Sequence, residues 1–215
     1  KKAKIAIIGA GIEGLDCARF QSAAGIRTND FDKGRGVGGR VATRRADEGL
    51  QFDHGAQYVK STDPVFQSVL GTCCEAGALA RWKTKNQEIG YVGAPGMTAL
   101  AKHLGQGIAI RQKAQVTTVL RGDDTWHVGI DGDAQAFDRV VCTAPAPQTV
   151  ALLQPHLPAA LASDAVDYDP CLTLMIALQT HPDLPDTAKY PTKAFAWGAH
   201  DSSKPNRSST GCWVV

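Results

Sequence analysis

The chain has 215 residues, 43% of them hydrophobic and 20% charged, which allows one large or two small domains with a real core. A net charge of +2 with dispersed basic residues leaves no footprint for nucleic acid, and the longest apolar runs fall far short of the ~18 residues of a membrane span. Lys1-Lys2 before Ile5 to Ile8 has the look of a signal-peptide start, but Gly9, Gly11, Glu13 and Asp16 break the apolar region too early, so the expected location is the cytoplasm.

Ile5 to Ile8 predicts a short β-branched strand that stops at Gly9, and Gly9, Gly11 and Gly14 complete G-x-G-x-x-G leading into Leu15, Cys17, Ala18 and Phe20. Strand, tight turn and helix follow in that order. The glycines are needed to make the turn, to let the backbone approach a pyrophosphate, and to pack the helix on the strand. The anion then sits on free N–H groups at the helix start, where the helix dipole also favours negative charge. Gly9, Ala10, Gly11, Ile12, Glu13 and Gly14 are therefore candidate dinucleotide contacts. Glu13 places a carboxylate in this loop, which opposes the ligand's charge unless it swings to solvent.

After Gly25, Ile26 to Phe31 predict a second strand ending at Asp32, which stands 18 residues beyond Gly14. That is close to the ~20 expected for a carboxylate accepting from ribose hydroxyls, and an acid there favours an unphosphorylated ribose. Thr28-Asn29-Asp30 is polar for a strand buried on both faces. Next come Asp32-Lys33-Gly34-Arg35-Gly36-Val37-Gly38-Gly39-Arg40, then Ala42-Thr43-Arg44-Arg45, then Phe52-Asp53-His54-Gly55-Ala56-Gln57-Tyr58. The bland reading of the basic residues is a solvated loop facing Asp47 and Glu48.

These stretches resemble the flavin-dependent amine oxidase superfamily, and within it the bacterial renalase-like branch. The resemblance implies FAD as cofactor, with Lys33 and Gly39 at the dinucleotide, Arg40 on the phosphates, and Gln57 and Tyr58 beside the flavin ring. It also implies a Rossmann-like α/β domain with a β-meander, joined to a smaller antiparallel substrate domain.

Asp63 as N-cap and Pro64 at the first helical position predict a helix carrying Val65, Phe66, Val69, Leu70 and Cys73 on its core face. Leu79 to Thr84 and Glu88 to Val92 read as strands around a Lys85-Asn86-Gln87 turn. Thr98 is expected to cap a short helix ending near Gly105. Ile108 to Arg111, Gln115 to Leu120, Trp126 to Ile130 and Phe137 to Thr143 read as strands with Gly122-Asp123-Asp124 and Gly132-Asp133 turns, together a meander. By the resemblance, the strand from Gln115 contacts adenine through its backbone at Val116.

Short helical stretches reach Leu153 and span Ala159 to Ala162 around the Pro155 and Pro158 break. Cys171 to Gln179 reads as a long apolar strand, His181 to Lys193 as a loop with three prolines, and Ala194 to Ala199 as a further strand. The polar segment His200-Asp201-Ser202-Ser203-Lys204-Pro205 is either a surface loop or, as the resemblance implies, a set of groups that orient a charged substrate. Trp197, Tyr168 and His200 are candidates for lining the substrate pocket, with His200 in the catalytic role of orientation or proton handling. Six cysteines without C-x-x-C or nearby histidines read as buried thiols in a reducing compartment; no metal site is expected, and flavin binding is expected to be non-covalent. Cys212-Trp213-Val214-Val215 stops inside an apolar strand, so the chain reads as truncated, its last strand lacking a following partner.

The expected division is 1–58 with 96–150 for the FAD-binding domain, and 59–95 with 151–215 for an incomplete substrate domain. The expected activity is hydride transfer from an isomeric dihydronicotinamide dinucleotide, or from an amine, to the flavin, with O2 as electron acceptor giving H2O2. A non-catalytic FAD-binding fragment is the alternative. An NAD-dependent dehydrogenase accounts for the first loop and Asp32 but leaves Gly38-Gly39-Arg40 and Gln57-Tyr58 unused.

Overall fold

The structure is a computed structural model and describes residues 3–84, 88–158, 166–189, 195–207 and 211–215. The expected Lys85-Asn86-Gln87 turn and the Ala159 to Ala162 helix lie outside the described residues. The chain divides into two compact units, one of Lys1–Gly39 with Leu104–Pro170 and one of Arg40–His103 with Cys171–Val215. The expected boundaries at 58, 95 and 150 thus move, because residues 40–58 build their hydrogen bonds and packing with the antiparallel unit.

In the first unit, a parallel sheet has the order Arg139–Cys142, Ile5–Ile8, Thr28–Phe31, Ile110–Arg111. The Ile5–Ile8 strand is buried on both faces: Ala6 and Ile8 enter one core with Phe31, Val128 and Phe137, while Ile5 and Ile7 pack with Ala18 of the Ile12–Ala23 helix. This is period-2 alternation with both sides covered, as a parallel sheet requires. Each fully buried Ile or Leu stabilises by about 1.5–3 kcal/mol. The polar second strand is the exception, since Asp30 is buried in it; burial pushes its carboxyl up, and a Thr28 hydrogen bond offsets part of this.

The meander holds three antiparallel strands, Val116–Arg121, Trp126–Ile130 and Asp133–Phe137. Two expectations change here. Ile110–Arg111 joins the parallel sheet, and the expected strand from Phe137 splits at Asp138 into a meander strand and the parallel Arg139–Cys142. The split follows from Asp138, whose carboxylate takes the Lys4 N–H while its own N–H donates to Lys4 O, crossing the chain from one sheet to the other.

In the second unit, Asp63 caps the Pro64–Glu75 helix by accepting from Phe66 N at 2.8 Å, as its sequence requires. Leu70 and Cys73 are its buried residues, whereas Val65 is 75% exposed and leaves the expected core face. Leu79–Lys83 pairs with Glu88–Gly93, close to expectation. Thr98 begins the Thr98–Leu104 helix but does not cap it; its hydroxyl accepts from Thr43 N at 2.8 Å and donates to Val41 O at 3.3 Å.

A four-stranded antiparallel sheet has the order Met175–Leu178, Gly211–Val214, Trp197–His200, Thr187–Lys189. The expected Cys171 to Gln179 strand shortens to Met175–Leu178, paired with Gly211–Val214 and continued by mutual backbone bonds between Leu174 and Val215. Thr187–Lys189 is a short, polar edge strand inside what reads as a loop. Gly211–Val214, expected to lack a following partner, pairs on both sides with strands that precede it in the chain. Among the described residues no helix is long and apolar enough to cross a membrane.

Candidate functional site

The glycine loop lies wholly in the first unit. Gly9 has φ +107, a value that L side chains rarely adopt. A Cβ on Gly14 would fall 1.9 Å from the Gly9 carbonyl oxygen, so the helix packs on the turn only without one. Gly11 is different: a Cβ there would meet no backbone within 4 Å and only Glu13 Oε2, at 3.4 Å. The fold itself does not require glycine at Gly11, so its missing side chain leaves room for a ligand. The helix that starts at Ile12 has no side-chain cap at Gly11, so its first N–H groups face the same space. Ala10 is buried, Ile12 half-buried and Glu13 exposed.

Asp32 does more than the spacing suggests. Its Oδ2 accepts from Ala10 N at 2.7 Å and its Oδ1 from Gly34 N at 2.6 Å, tying both glycine loops to the end of the second strand. Gly38 N donates to Ala10 O at 2.8 Å and closes the same turn. Lys33 and Gly39 are exposed beside it. Val116 is buried in the core with its side chain, and the ladder register shifts between Val116 and Thr118, an irregularity next to the backbone expected to meet adenine.

Arg40, Gln57, Tyr58 and His200 fall in the second unit. Arg40 is exposed, and its carbonyl accepts from Ala56 N at 2.8 Å. Gly55 allows this approach, since a Cβ there would fall 2.1 Å from the Arg40 oxygen. Gln57 Nε2 donates to Asp53 O, and its Oε1 accepts from Lys204 Nζ at 2.9 Å. Tyr58 is 38% exposed, with its ring centroid 6.3 Å from that of Trp197. Tyr168 belongs to the first unit, where its hydroxyl accepts from Ala146 N at 3.3 Å.

Beneath Gln57 lies a buried ionic cluster that sequence reasoning missed. Lys204 Nζ donates to Asp53 Oδ2 at 3.2 Å and to Asp201 Oδ1 at 2.5 Å, and all three side chains are 0% exposed. Arg207 donates to Asp53 Oδ2 and to the carbonyls of Gly93 and Pro95. Asp53 Oδ1 also accepts from Met97 N at 2.9 Å and Thr43 Oγ1 at 2.7 Å. Burial alone would push the Asp53 carboxyl up; Lys204, Arg207 and these two donors outweigh it and hold Asp53 below the usual carboxylate range. Asp201 ends on the other side, because burial and the charge of Asp53 push its carboxyl up against the pull of the same two cations.

Within residues 200–205 this takes Asp201 and Lys204 out of the expected substrate-orienting set. Asp201 and Lys204 are sealed inside, Ser203 accepts from Trp82 Nε1 at 3.2 Å and donates to His200 O at 2.8 Å, and Ser202 accepts from Cys212 N at 3.1 Å. His200 Nδ1 faces Asp186 and His181, and its ring stacks on Trp213. The only sequence signal for the cluster was an acid at 53 beside Phe52 and a Lys-x-x-Arg at 204 and 207; nothing local pairs them across about 150 positions. None of the six cysteines is in a disulfide, but only Cys73 and Cys212 are buried, and Cys171 is exposed, against the expectation of buried thiols.

The family model for a flavin containing amine oxidoreductase matches residues 71–215, about two thirds of the chain. The chain belongs to this family. A model for an NAD(P)-binding Rossmann-like domain matches residues 7–72, covering the glycine loop and Asp32. Renalase from Mus musculus is 28% identical over 167 residues, which are 69% of this chain and 49% of renalase, so the chain spans about half of that relative's length.

Two solved structures share the fold. A candidate protoporphyrinogen oxidase from Exiguobacterium sp. 255-15 matches with TM-score 0.76 and 12% identity over 100% of this chain and 76% of its own. A putrescine oxidase bound to putrescine matches with TM-score 0.73 and 14% identity over 100% of this chain and 75% of its own. FAD is the cofactor, and the residues fit it: the open space at Gly11, the uncapped helix start and the anchored Asp32 form a pyrophosphate cradle that the fold's own packing leaves clear.

Proposed function

We propose that the chain is the FAD-holding and substrate-facing portion of a renalase-type oxidoreductase, which oxidises an isomeric dihydronicotinamide dinucleotide, or failing that an amine, and delivers the electrons to O2 as H2O2. The observation that carries the reading is Gly11, a glycine the fold does not need and a pyrophosphate does. When bound, the flavin supplies the hydride acceptor and its reoxidation by dioxygen.

The protein's part is binding and orientation. Gly9, Ala10, Gly11, Ile12, Glu13 and Gly14 hold the pyrophosphate on N–H groups, Asp32 and Lys33 serve the ribose side, and Val116 offers backbone to adenine. Gly39 and Arg40 serve the phosphates. Gln57 and Tyr58 serve the ring, with Gln57 held in one rotamer by Lys204 beneath it. The aromatic faces of Tyr58 and Trp197 suit a planar substrate ring. Oxidising an already reduced ring needs no strong base, so no catalytic carboxylate is required. Any proton handling by His200 runs through its contacts with Asp186 and His181. Six cysteines without the spacing of a disulfide framework are in keeping with a reducing compartment, the cytoplasm.

The test is the absorbance of purified protein, followed by peroxide production with each dihydronicotinamide isomer and with a primary amine. Yellow protein that forms one peroxide per isomer oxidised is the expected result. Yellow protein inert to all of these leaves a binding fragment, and colourless protein that takes NAD overturns the flavin reading.

A further inference from the structure

Three side chains with metal-ligand chemistry converge in the second unit, apart from every residue assigned to the flavin except His200. His200 ends the Trp197–His200 strand, and Asp186 immediately precedes the paired Thr187–Lys189 strand. The bond from His200 N to Asp186 O, 2.8 Å, fixes the two against each other. His181 comes back to them from the preceding loop. His181 Nε2 lies 3.2 Å from His200 Nδ1, and His200 Nδ1 lies 3.4 Å from Asp186 Oδ1. All three ligand atoms are within 4.8 Å of one another.

A tetrahedral zinc site has bonds of about 2.0–2.1 Å, which places neighbouring ligand atoms about 3.3 Å apart. The two short separations have that value. Without an ion the arrangement is poorly satisfied, because Nδ1 of His200 carries either one hydrogen or one lone pair, yet it faces both a carboxylate and a second ring nitrogen. A cation would draw the three lone pairs to one point, closing whatever part of the His181–Asp186 separation exceeds the about 4.2 Å that two such bonds span. The rings are also held in place. His200 is only 12% exposed in its side chain and stacks on Trp213 at 4.8 Å and 14°. The His181 ring lies 5.8 Å from Trp213.

We infer that His181, Asp186 and His200 form a binding site for a divalent transition metal, zinc by its two imidazoles and one carboxylate, with the fourth position open to water. The ion braces the loop at His181 against the two strands, and it requires Nδ1 of His200 to be unprotonated. No spacing announces it, since the ligands stand at 181, 186 and 200 without a recognisable local motif. The inference does not depend on the flavin chemistry.

The test uses tag-free chain, stripped with chelator and titrated with Co²⁺ and then Zn²⁺. The expected result is one equivalent bound, a visible cobalt absorption that zinc displaces, and quenching of tryptophan emission by cobalt. His181→Ala and Asp186→Asn should each weaken binding at least about tenfold, the lower end of the effect seen when a mere supporting partner of a ligand is lost. Trp213→Phe should remove most of the quenching while keeping the stoichiometry. Zinc should raise the melting temperature of the parent and leave that of His181→Ala unchanged, which separates a lost ligand from a lost fold. Absence of binding, or binding indifferent to His181→Ala or to Asp186→Asn, overturns the site.

Discussion

Removal of the Lys204 ammonium is the sharpest test of how the second unit is held. Lys204 is fully buried, and its three donors are used on Asp53, Asp201 and Gln57. In Lys204→Met the stem still packs over Trp82, whose ring centroid lies 5.3 Å from Nζ, but Asp53 and Asp201 are left with Arg207 alone, a buried excess of one negative charge. Breaking a buried pair from one side costs about 3–5 kcal/mol. At about 2–4 °C per kcal/mol for a chain of this size, the melting temperature should fall by roughly 6–20 °C.

The double variant Lys204→Met, Asp201→Asn removes that excess charge at the carboxylate whose ionisation burial already opposes, so it should recover about 1–3 kcal/mol as coupling energy. Urea unfolding followed by tryptophan emission reads this in a Trp126→Phe background, where Trp82, Trp197 and Trp213 all report on the second unit. A loss under about 1 kcal/mol in the single variant, or simple additivity in the double, would refute the ionic account.

Gly14→Ala should abolish FAD binding and lower stability, since its Cβ overlaps the Gly9 oxygen, whereas Gly11→Ala should fold normally and lose FAD affinity; titration and thermal melts distinguish them. Asp32→Ala should weaken FAD binding and also destabilise the first unit, because two backbone N–H groups lose a charged acceptor worth about 1.5–3 kcal/mol. Arg40→Ala should lower FAD affinity by loss of a charge-assisted phosphate contact, and equal affinity in a titration would remove Arg40 from the site. For acid stability the two buried carboxylates have opposite signs. Asp53, held low, contributes stability that is present above the unfolded carboxylate value of about 3.9 and is lost as pH falls through its folded value. Asp201, pushed up, contributes stability that is present below the unfolded value and is lost as pH rises through its folded value. Asp53→Asn should therefore shrink the acid-side loss, and Asp201→Asn should gain on the parent as pH rises from about 4; denaturant titrations across pH measure both.

What the sequence by itself determined is local. Gly9, Gly11 and Gly14 after an apolar strand, Asp32 at its spacing, and the Asp63-Pro64 helix start are each legible because turn geometry, helix capping and strand burial are decided within a few residues. The Gly-Gly-Arg and Gln57-Tyr58 segments pointed to flavin by resemblance, and the family match agrees.

The tertiary structure decided everything that depends on long-range pairing. Asp53 meets Lys204 and Arg207 across about 150 residues, and burial turned a segment that reads as a solvent-facing polar loop into an internal ionic brace. Asp138 split one apparent strand between two sheets, and Gly211–Val214 found partners on both sides that no adjacent residue announces. Charge and strand propensity are properties of a residue, but which charge is desolvated and which strand is central are properties of the packed whole.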